Sequence, residues 1–240
     1  MSAGTAQDTA AAVRCMTSLV GALADSKAAL GRRYSEWAIS APTLESAVAA
    51  AAMAQDELGH ARSTYPVLRA LGTEPDDEDG FSARRRLALL DAELPDWTSF
   101  VAANLLIDGV LTTFVAACVD SSVTAMAQRA RKVLQEEGSH RVHGEAWARR
   151  LCRAGDRQAQ ALLSRLGETW EHAARFAGPV DDPGATAALA QGMFASDAAA
   201  QRALVRDWLQ ALLAAEGREL ELLEPTDWSA WDPDTRRWQP

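Results

Sequence analysis

The chain has 240 residues, enough for one large domain or two small ones with a sizeable core. Its 24 basic and 33 acidic residues give a net charge of -9, which disfavours binding to nucleic acid phosphates or to anionic lipid. With 48% hydrophobic and 24% charged residues, the composition is typical of a globular protein rather than of a disordered or membrane-embedded chain.

Sequence rich in Ala, Leu, Arg, Glu and Gln, without sustained alternation of β-branched residues, predicts an all-α chain. A first helix is predicted from Asp8 to Ile39, ending before Pro42, which removes a backbone donor and restricts the preceding residue. Thr43 is the predicted N-cap of a second helix from Leu44 to Leu71, closed by Gly72. The further predicted helices are a short one over Ser82–Glu93, two long ones over Asp96–Asp120 and Val123–Ala154, and additional ones over Asp156–Ala177, Ala185–Phe194 and Asp197–Leu223.

Four long antiparallel helices with C-terminal additions describe a helical bundle. Because no low-complexity linker divides the chain, residues 1–223 are predicted to form one bundle domain, followed by a Trp- and Pro-rich tail over residues 224–240. The tail tryptophans Trp228, Trp231 and Trp238 are expected to dock on the bundle, with a partner subunit as the alternative.

The cysteines Cys15, Cys118 and Cys152 are odd in number and far apart, so they do not predict a disulfide framework. The N-terminal residues also lack a basic region followed by a continuous apolar stretch, the pattern of a signal peptide or an anchor. A cytoplasmic location is therefore expected.

Two Glu-x-x-His motifs lie on the second and fourth long helices. They are Glu57 with His60 and Glu137 with His140. Residues three apart share a helix face, so each motif presents a carboxylate beside an imidazole, and two copies on facing helices converge. This is the ligand arrangement of ferritin-like di-iron carboxylate bundles, in which the other two helices supply one carboxylate each. The alternative is that each motif belongs to a solvated helix face.

Asp108 is the only charged side chain between Phe100 and Val119, on the third long helix. A buried, unpaired carboxylate costs several kcal/mol, a cost usually relieved by a metal or another cation. Asp108 is therefore a candidate ligand. Pairing with an arginine or exposure at a bundle edge is the alternative. The apolar run could also cross a membrane, but the central aspartate favours a buried bundle helix.

Asp56 and Glu136 each lie four residues before the histidine of their motif. They are candidate acceptors for the ring proton that a metal-bound histidine carries on its outer nitrogen. Salt bridges to Arg62 or Arg141 are an equally good interpretation.

Three segments of the first two helices resemble the phenylacetate-degradation family of ferritin-like proteins, which are subunits of the multicomponent phenylacetyl-CoA epoxidase. The segments are Leu30-Gly31-Arg32-Arg33-Tyr34-Ser35-Glu36-Trp37, Ala41-Pro42-Thr43-Leu44-Glu45 and Gln55-Asp56-Glu57-Leu58-Gly59-His60-Ala61-Arg62. The resemblance is best over residues 20–72, continues through the third and fourth helices, and fades in the tail.

The resemblance implies a ferritin-like bundle working in a complex. A catalytic di-iron subunit of this family acts with a structural subunit of the same fold and with a separate reductase. The catalytic type uses dioxygen to epoxidise the aromatic ring of a CoA thioester. The chain resembles both types, because its Ser35-Glu36-Trp37 segment is similar to the structural subunit whereas both Glu-x-x-His motifs match the catalytic ligands.

Lys27 stands where the resemblance places the remaining glutamate ligand, on the first helix. Asp108 matches the third-helix ligand but is one methylene shorter. Neither Asp25 nor Glu36 can replace the missing glutamate, since two residues rotate a helical side chain by about 200° and nine residues move it by about 13 Å. Only two of the 24 basic residues are lysines, which suggests a need for a compact or deprotonatable amine at this position.

Three hypotheses follow for the cluster. Glu57, Asp108 and Glu137 with one ammonium leave two negative charges, enough for one divalent ion bound by Asp108, Glu137 and His140. Carbamylation of Lys27 would instead restore a two-metal site. A metal-free cluster of salt bridges in a non-catalytic subunit is the third possibility.

The leading prediction is an all-α, ferritin-like oxygenase-family protein with additional C-terminal helices. This protein is predicted to bind one or two iron ions, or another divalent metal, through Glu57, His60, Asp108, Glu137 and His140. Lys27, Glu57 and Glu137 are the predicted catalytic residues, and dioxygen with an aromatic or acyl-CoA compound is the predicted substrate pair. A paralogous subunit, a reductase and a homo- or hetero-oligomer are the expected partners, and binding to nucleic acid or membrane is not expected.

A non-catalytic structural subunit, in which Lys27 replaces a metal ligand, is the alternative function. Tyr34 lies seven residues after Lys27 on the same helix face. It could have a redox or gating role, although a tyrosine at such a position more often packs in the core.

Overall fold

The computed structural model describes residues 3–74 and 85–239. The bundle is built from α1 (Ala3–Trp37), α2 (Leu44–Ala70), a third rod made of α3 (Trp97–Ala102), a π-helical turn (Ala103–Ile107) and α4 (Asp108–Ala117), and the long α5 (Thr124–Arg153). The helices added after it are α6 (Asp156–Ala173), α7 (Pro183–Ala190) and α8 (Ala198–Ala214). The predicted all-α, ferritin-like bundle with C-terminal additions is confirmed.

The start of α2 follows the capping chemistry expected from the sequence. The Thr43 hydroxyl accepts a hydrogen bond from the Ser46 amide at 3.2 Å, which confirms it as the N-cap. Asp96 caps α3 in the same way, accepting from the Ser99 amide at 2.7 Å. These caps fix where α2 and the third rod begin.

The predicted short helix over Ser82–Glu93 is wrong in its described part, which contains only a 3₁₀ turn, Ala88–Asp91. Two side chains of α1 accept hydrogen bonds from the backbone of this segment: Asp25 Oδ2 from the Arg85 amide (2.9 Å) and Ser26 Oγ from the Leu87 amide (3.0 Å). Because α1 satisfies these amides, no helix is needed to do so. Residues 75–84, including most of the acidic loop, lie outside the described residues.

The last helix is shorter than predicted. α8 ends at Ala214 rather than at Leu223, since Gly217 adopts a left-handed φ of 67° just beyond it. Other helix ends differ from the prediction by a few residues, as is usual for frayed termini.

The third rod, Trp97–Ala117, is long and apolar enough to cross a membrane by composition alone. However, 78% of its most apolar 18-residue stretch is buried inside the described structure. The rod packs against α5, α6 and α8. It is therefore a core helix of the bundle, as predicted. Its π-helical turn ends at Ile107, immediately before Asp108.

The C-terminal tail packs on its own bundle. Its two short strands, β1 (Trp231–Asp232) and β2 (Arg237–Trp238), pair antiparallel. Between them, the buried Arg236 guanidinium donates hydrogen bonds to the carbonyl oxygens of Phe176 (3.1 Å) and Ala177 (2.7 Å). The predicted docking of the tail on its own bundle is the arrangement observed.

Candidate metal centre

A cluster of five ionisable side chains occupies the centre of the bundle. Lys27 comes from α1, Glu57 from α2, Asp108 from α4, and Glu137 and His140 from α5. All are buried, with at most 4% of each residue exposed. The four long rods of the bundle therefore converge on one point, as the two Glu-x-x-His motifs predicted.

Lys27 occupies the middle of this cluster. Its Nζ donates one hydrogen bond to each carboxylate, at 2.9 Å to Glu57 Oε1, 2.6 Å to Asp108 Oδ1 and 2.6 Å to Glu137 Oε1. An ammonium group has three N–H donors, and here each has its own acceptor. This geometry matches a protonated lysine.

His140 lies on the other side of the same carboxylates. Its Nδ1 is 3.0 Å from Asp108 Oδ2, 3.4 Å from Glu57 Oε1 and 3.6 Å from Glu137 Oε2. Asp108 and Glu137 thus turn one oxygen towards Lys27 and the other towards His140. One donor atom from each of Glu57, Asp108, Glu137 and His140 lies within 4.8 Å of the others, an arrangement that could hold a metal ion.

The distances around His140 Nδ1 are compatible with a single ion. Ligands about 2.1 Å from a common ion lie roughly 3.0–3.4 Å apart in octahedral or tetrahedral geometry, close to the spacings around His140 Nδ1. A carboxylate oxygen of Glu57, Oε2, is buried without a hydrogen-bond partner among the described residues, so donor capacity remains available. On the opposite side, the same three carboxylates accept hydrogen bonds from the Lys27 ammonium.

His60 is less closely associated with the cluster than the sequence predicted. Its Nδ1 is 3.2 Å from Glu137 Oε1 but 4.0 Å from Glu57 Oε2, and it does not join the four-donor group. The second helix therefore contributes Glu57 to that group, whereas His60 lies at its margin on the side of Lys27.

Asp56 and Glu136 contact the outer ring nitrogens of the two histidines, but each does so across helices. Glu136 Oε2 is 2.7 Å from His60 Nε2, and Asp56 Oδ2 is 3.2 Å from His140 Nε2. Each carboxylate therefore contacts the histidine of the other motif, because α2 and α5 run antiparallel with the two motifs side by side. Such acceptors fix the ring orientation of a metal-binding histidine.

Burial and mutual contact shift the pKa values of the cluster. Burial alone would lower the pKa of Lys27, but Asp108, Glu137 and Glu57 together raise it well above its usual range. Burial would also lower the pKa of His140, yet its hydrogen bonds to Asp108 and Glu57 raise that pKa to about 11. The pKa of Glu57 rises to about 7 through burial and the neighbouring Asp108. The metal-free cluster is thus held together by cationic Lys27 and His140.

A cavity of about 430 Å³ opens beside the cluster. Asp108 and Glu137 form part of its wall, and α8 closes it with Leu204, Val205 and Trp208. The Arg141 guanidinium lies over the Trp208 ring, 4.8 Å from its centroid. A small molecule in this cavity would reach two of the four candidate ligands.

Two polar residues of the site were missed from the sequence. Thr112 donates a hydrogen bond from Oγ1 to Glu137 Oε2 at 2.9 Å, and Asn104 lines the cavity from the π-helical turn. Each lies four residues from Asp108 on the same rod, so helical spacing could have identified them.

Gly144 on α5 provides the space for the Asn104 side chain. A Cβ atom at Gly144 would lie 2.2 Å from Asn104 Oδ1, whereas at Gly138 it would meet nothing within 4 Å. We expect Gly144→Ala to lower the free energy of unfolding by about 1–3 kcal/mol through overpacking. Gly138→Ala, the matched control, should raise it by about 0.5–1 kcal/mol because alanine favours helix. Urea unfolding measures both, and equal stability of the two variants would contradict the close packing.

The sequence comparison agrees with this geometry. A family model described as phenylacetic acid catabolic protein matches residues 1–240. The chain belongs to the phenylacetic acid catabolic protein family. This family contains ferritin-like oxygenase subunits of phenylacetate catabolism, which work in multi-subunit complexes. A search of curated proteins found no match.

Proposed function

We propose that this member of the phenylacetic acid catabolic protein family is an oxygenase subunit that binds one divalent ion, iron, through Glu57, Asp108, Glu137 and His140. The observation that carries the proposal is the spacing of their donor atoms on the side of the cluster opposite Lys27. Lys27 then takes the place of a second ion. When His140 binds the ion as a neutral imidazole, the three carboxylates and one ammonium leave two negative charges, which a single divalent ion neutralises.

The bound ion would supply binding and reduction of dioxygen. The residues of the chain have separable roles. Glu57 and Glu137 bind the ion and face Lys27, whose fixed positive charge stabilises negative charge that develops in the site. The cavity beside Asp108 and Glu137 would hold an aromatic or acyl-CoA substrate against the cluster and exclude bulk water.

The expected partners follow from the family. A paralogous subunit and a reductase would complete a cytoplasmic complex. His60, bound to Glu136, would orient the shared Glu137 rather than bind the ion itself.

A second function is favoured by the same lysine. Its three short contacts already compensate the buried carboxylates without any metal. In this interpretation the chain is the non-catalytic structural subunit of the oxygenase, and the cluster stabilises the bundle.

Metal content separates the two functions. If the chain is an oxygenase subunit, elemental analysis after expression with iron should find one ion per chain. Titration of the metal-free protein with Mn²⁺ should give the same stoichiometry. Asp108→Asn removes the charge of a proposed ligand. The affinity of this variant for Mn²⁺ should therefore fall by more than the about 10–100-fold that follows mutation of a group hydrogen-bonded to a metal ligand.

Asp207→Asn, at a side chain that is 68% exposed, is the matched control and should bind like the native protein. No metal in the native protein under either condition would refute the oxygenase proposal and support the structural subunit.

A further inference from the structure

A continuous row of aromatic rings leads from the bundle interior towards the surface. The centroids of Tyr34 and Phe100 are 4.9 Å apart, and Phe100 stacks on Trp97 at 4.3 Å with an interplanar angle of 10°. Trp97 contacts Trp147 edge-to-face at 5.1 Å. Electron tunnelling slows steeply with distance, so rings in direct contact are favourable steps for it. Trp37, 5.5 Å from Trp97, lies beside the row.

The inner end of the row lies next to the carboxylate cluster. Tyr34 is fully buried, and its hydroxyl accepts a hydrogen bond from Asn104 Nδ2 at 3.2 Å. Asn104 lines the cavity that Asp108 also lines. Its other side-chain atom, Oδ1, is buried without a hydrogen-bond partner among the described residues.

The outer end lies just beneath the protein surface, where Trp147 is 9% exposed. Trp147 lines a surface pocket together with Ala146 and Arg150, and the Arg150 guanidinium lies 4.6 Å from the centroid of the Trp147 ring. The indole Nε1 donates to Ser46 Oγ at 2.9 Å. An external electron donor or acceptor can therefore approach this ring.

We propose that Tyr34, Phe100, Trp97 and Trp147 form a one-electron relay between the interior of the bundle beside Asp108 and the surface pocket at Trp147. Tyrosine and tryptophan are the residues of this row that can be oxidised by one electron, and Phe100 bridges them. The relay goes beyond the proposed metal site and operates in the metal-free protein.

The electron and the proton leave Tyr34 by different routes. A one-electron oxidant at the surface takes an electron from Trp147, leaving an indole radical cation. An electron then passes from Tyr34 through Phe100 and Trp97 to Trp147, which becomes neutral again. Tyr34 loses this electron together with its phenolic proton and becomes a tyrosyl radical. Because Asn104 donates to the Tyr34 hydroxyl, its amide does not take the phenolic proton, which is released to solvent in the cavity that Asn104 lines.

A flash-quench experiment on the metal-free protein tests the relay. Ala146→Cys places a thiol at the exposed edge of the pocket, and the three native cysteines are buried, so a thiol-reactive ruthenium polypyridyl complex labels position 146. A cobalt(III) ammine accepts the electron of the excited complex irreversibly, leaving ruthenium(III) as the oxidant. Electron paramagnetic resonance and transient absorption should then show a tyrosyl radical.

The variants assign the radical and its path. Because the chain contains two tyrosines, Tyr34→Phe should abolish the signal, whereas Tyr65→Phe should preserve it. Trp97→Phe should slow formation of the radical at least tenfold. Trp170→Phe, another buried tryptophan outside the row, should leave the rate unchanged.

A signal that survives Tyr34→Phe, a rate unaffected by Trp97→Phe, or a tryptophanyl radical without any tyrosyl radical would overturn the relay. None of these outcomes depends on metal content, so the relay and the metal site can fail independently.

Discussion

Lys27→Met is expected to lower the free energy of unfolding of the metal-free protein by about 3–5 kcal/mol, the usual cost of removing one partner from a buried ion pair. The lysine Nζ contacts all three carboxylates at 2.6–2.9 Å. Methionine has a similar length but no charge, so the variant leaves Glu57, Asp108 and Glu137 buried without their central cation. Urea unfolding in the presence of a chelator measures the loss.

Lys132→Met is the matched control, because Lys132 is the only other lysine and is exposed on α5. Its free energy of unfolding should change by no more than about 0.5 kcal/mol. Adding a divalent ion to Lys27→Met should restore about 2.7 kcal/mol at a concentration 100 times the dissociation constant. If Lys27→Met were as stable as Lys132→Met without metal, the described ion cluster would be wrong.

Lys27→Glu is expected to raise the metal stoichiometry from one ion per chain to two. The substitution replaces the ammonium with a fourth carboxylate and completes the set of four carboxylates and two histidines found in ferritin-like di-iron bundles. It also changes the charge of the cluster by two units, which favours a second divalent ion. Elemental analysis after expression with iron, together with titration by Mn²⁺, would count the ions.

Two further variants show whether the second ion binds where the structure places Lys27. Lys27→Gln removes the positive charge without adding a carboxylate, so it should not acquire a complete second site. In the Lys27→Glu background, His60→Ala should release the second ion and leave the first, since His60 lies on the side of Lys27 and outside the native four-donor group. A single ion in Lys27→Glu would contradict the proposed replacement of a metal by the lysine.

Much of the site could be predicted because its signals are local. Glu57 and His60, or Glu137 and His140, share a helix face through their spacing alone, and Asp108 is conspicuous as a lone charge in an apolar run. Thr43 and Gly72 mark the ends of α2 through the same short-range backbone chemistry. The segment before Asp96 was predicted incorrectly, since Asp25 and Ser26 on α1, distant in sequence, satisfy its amides.

By itself, the sequence determined the all-α bundle and the spacing of the candidate carboxylate and histidine ligands along each helix, because these depend on composition and on spacing within single helices. The anomaly of Lys27 followed from the resemblance to the family. Only the tertiary structure decided that Lys27 contacts all three carboxylates. It also decided that His140 joins the four-donor group while His60 does not. Asp56 and Glu136 each contact the histidine of the other motif, which the sequence did not predict. These relations depend on the register and distance between packed helices, which long-range side-chain packing sets to within an ångström or so and which no spacing along one helix encodes.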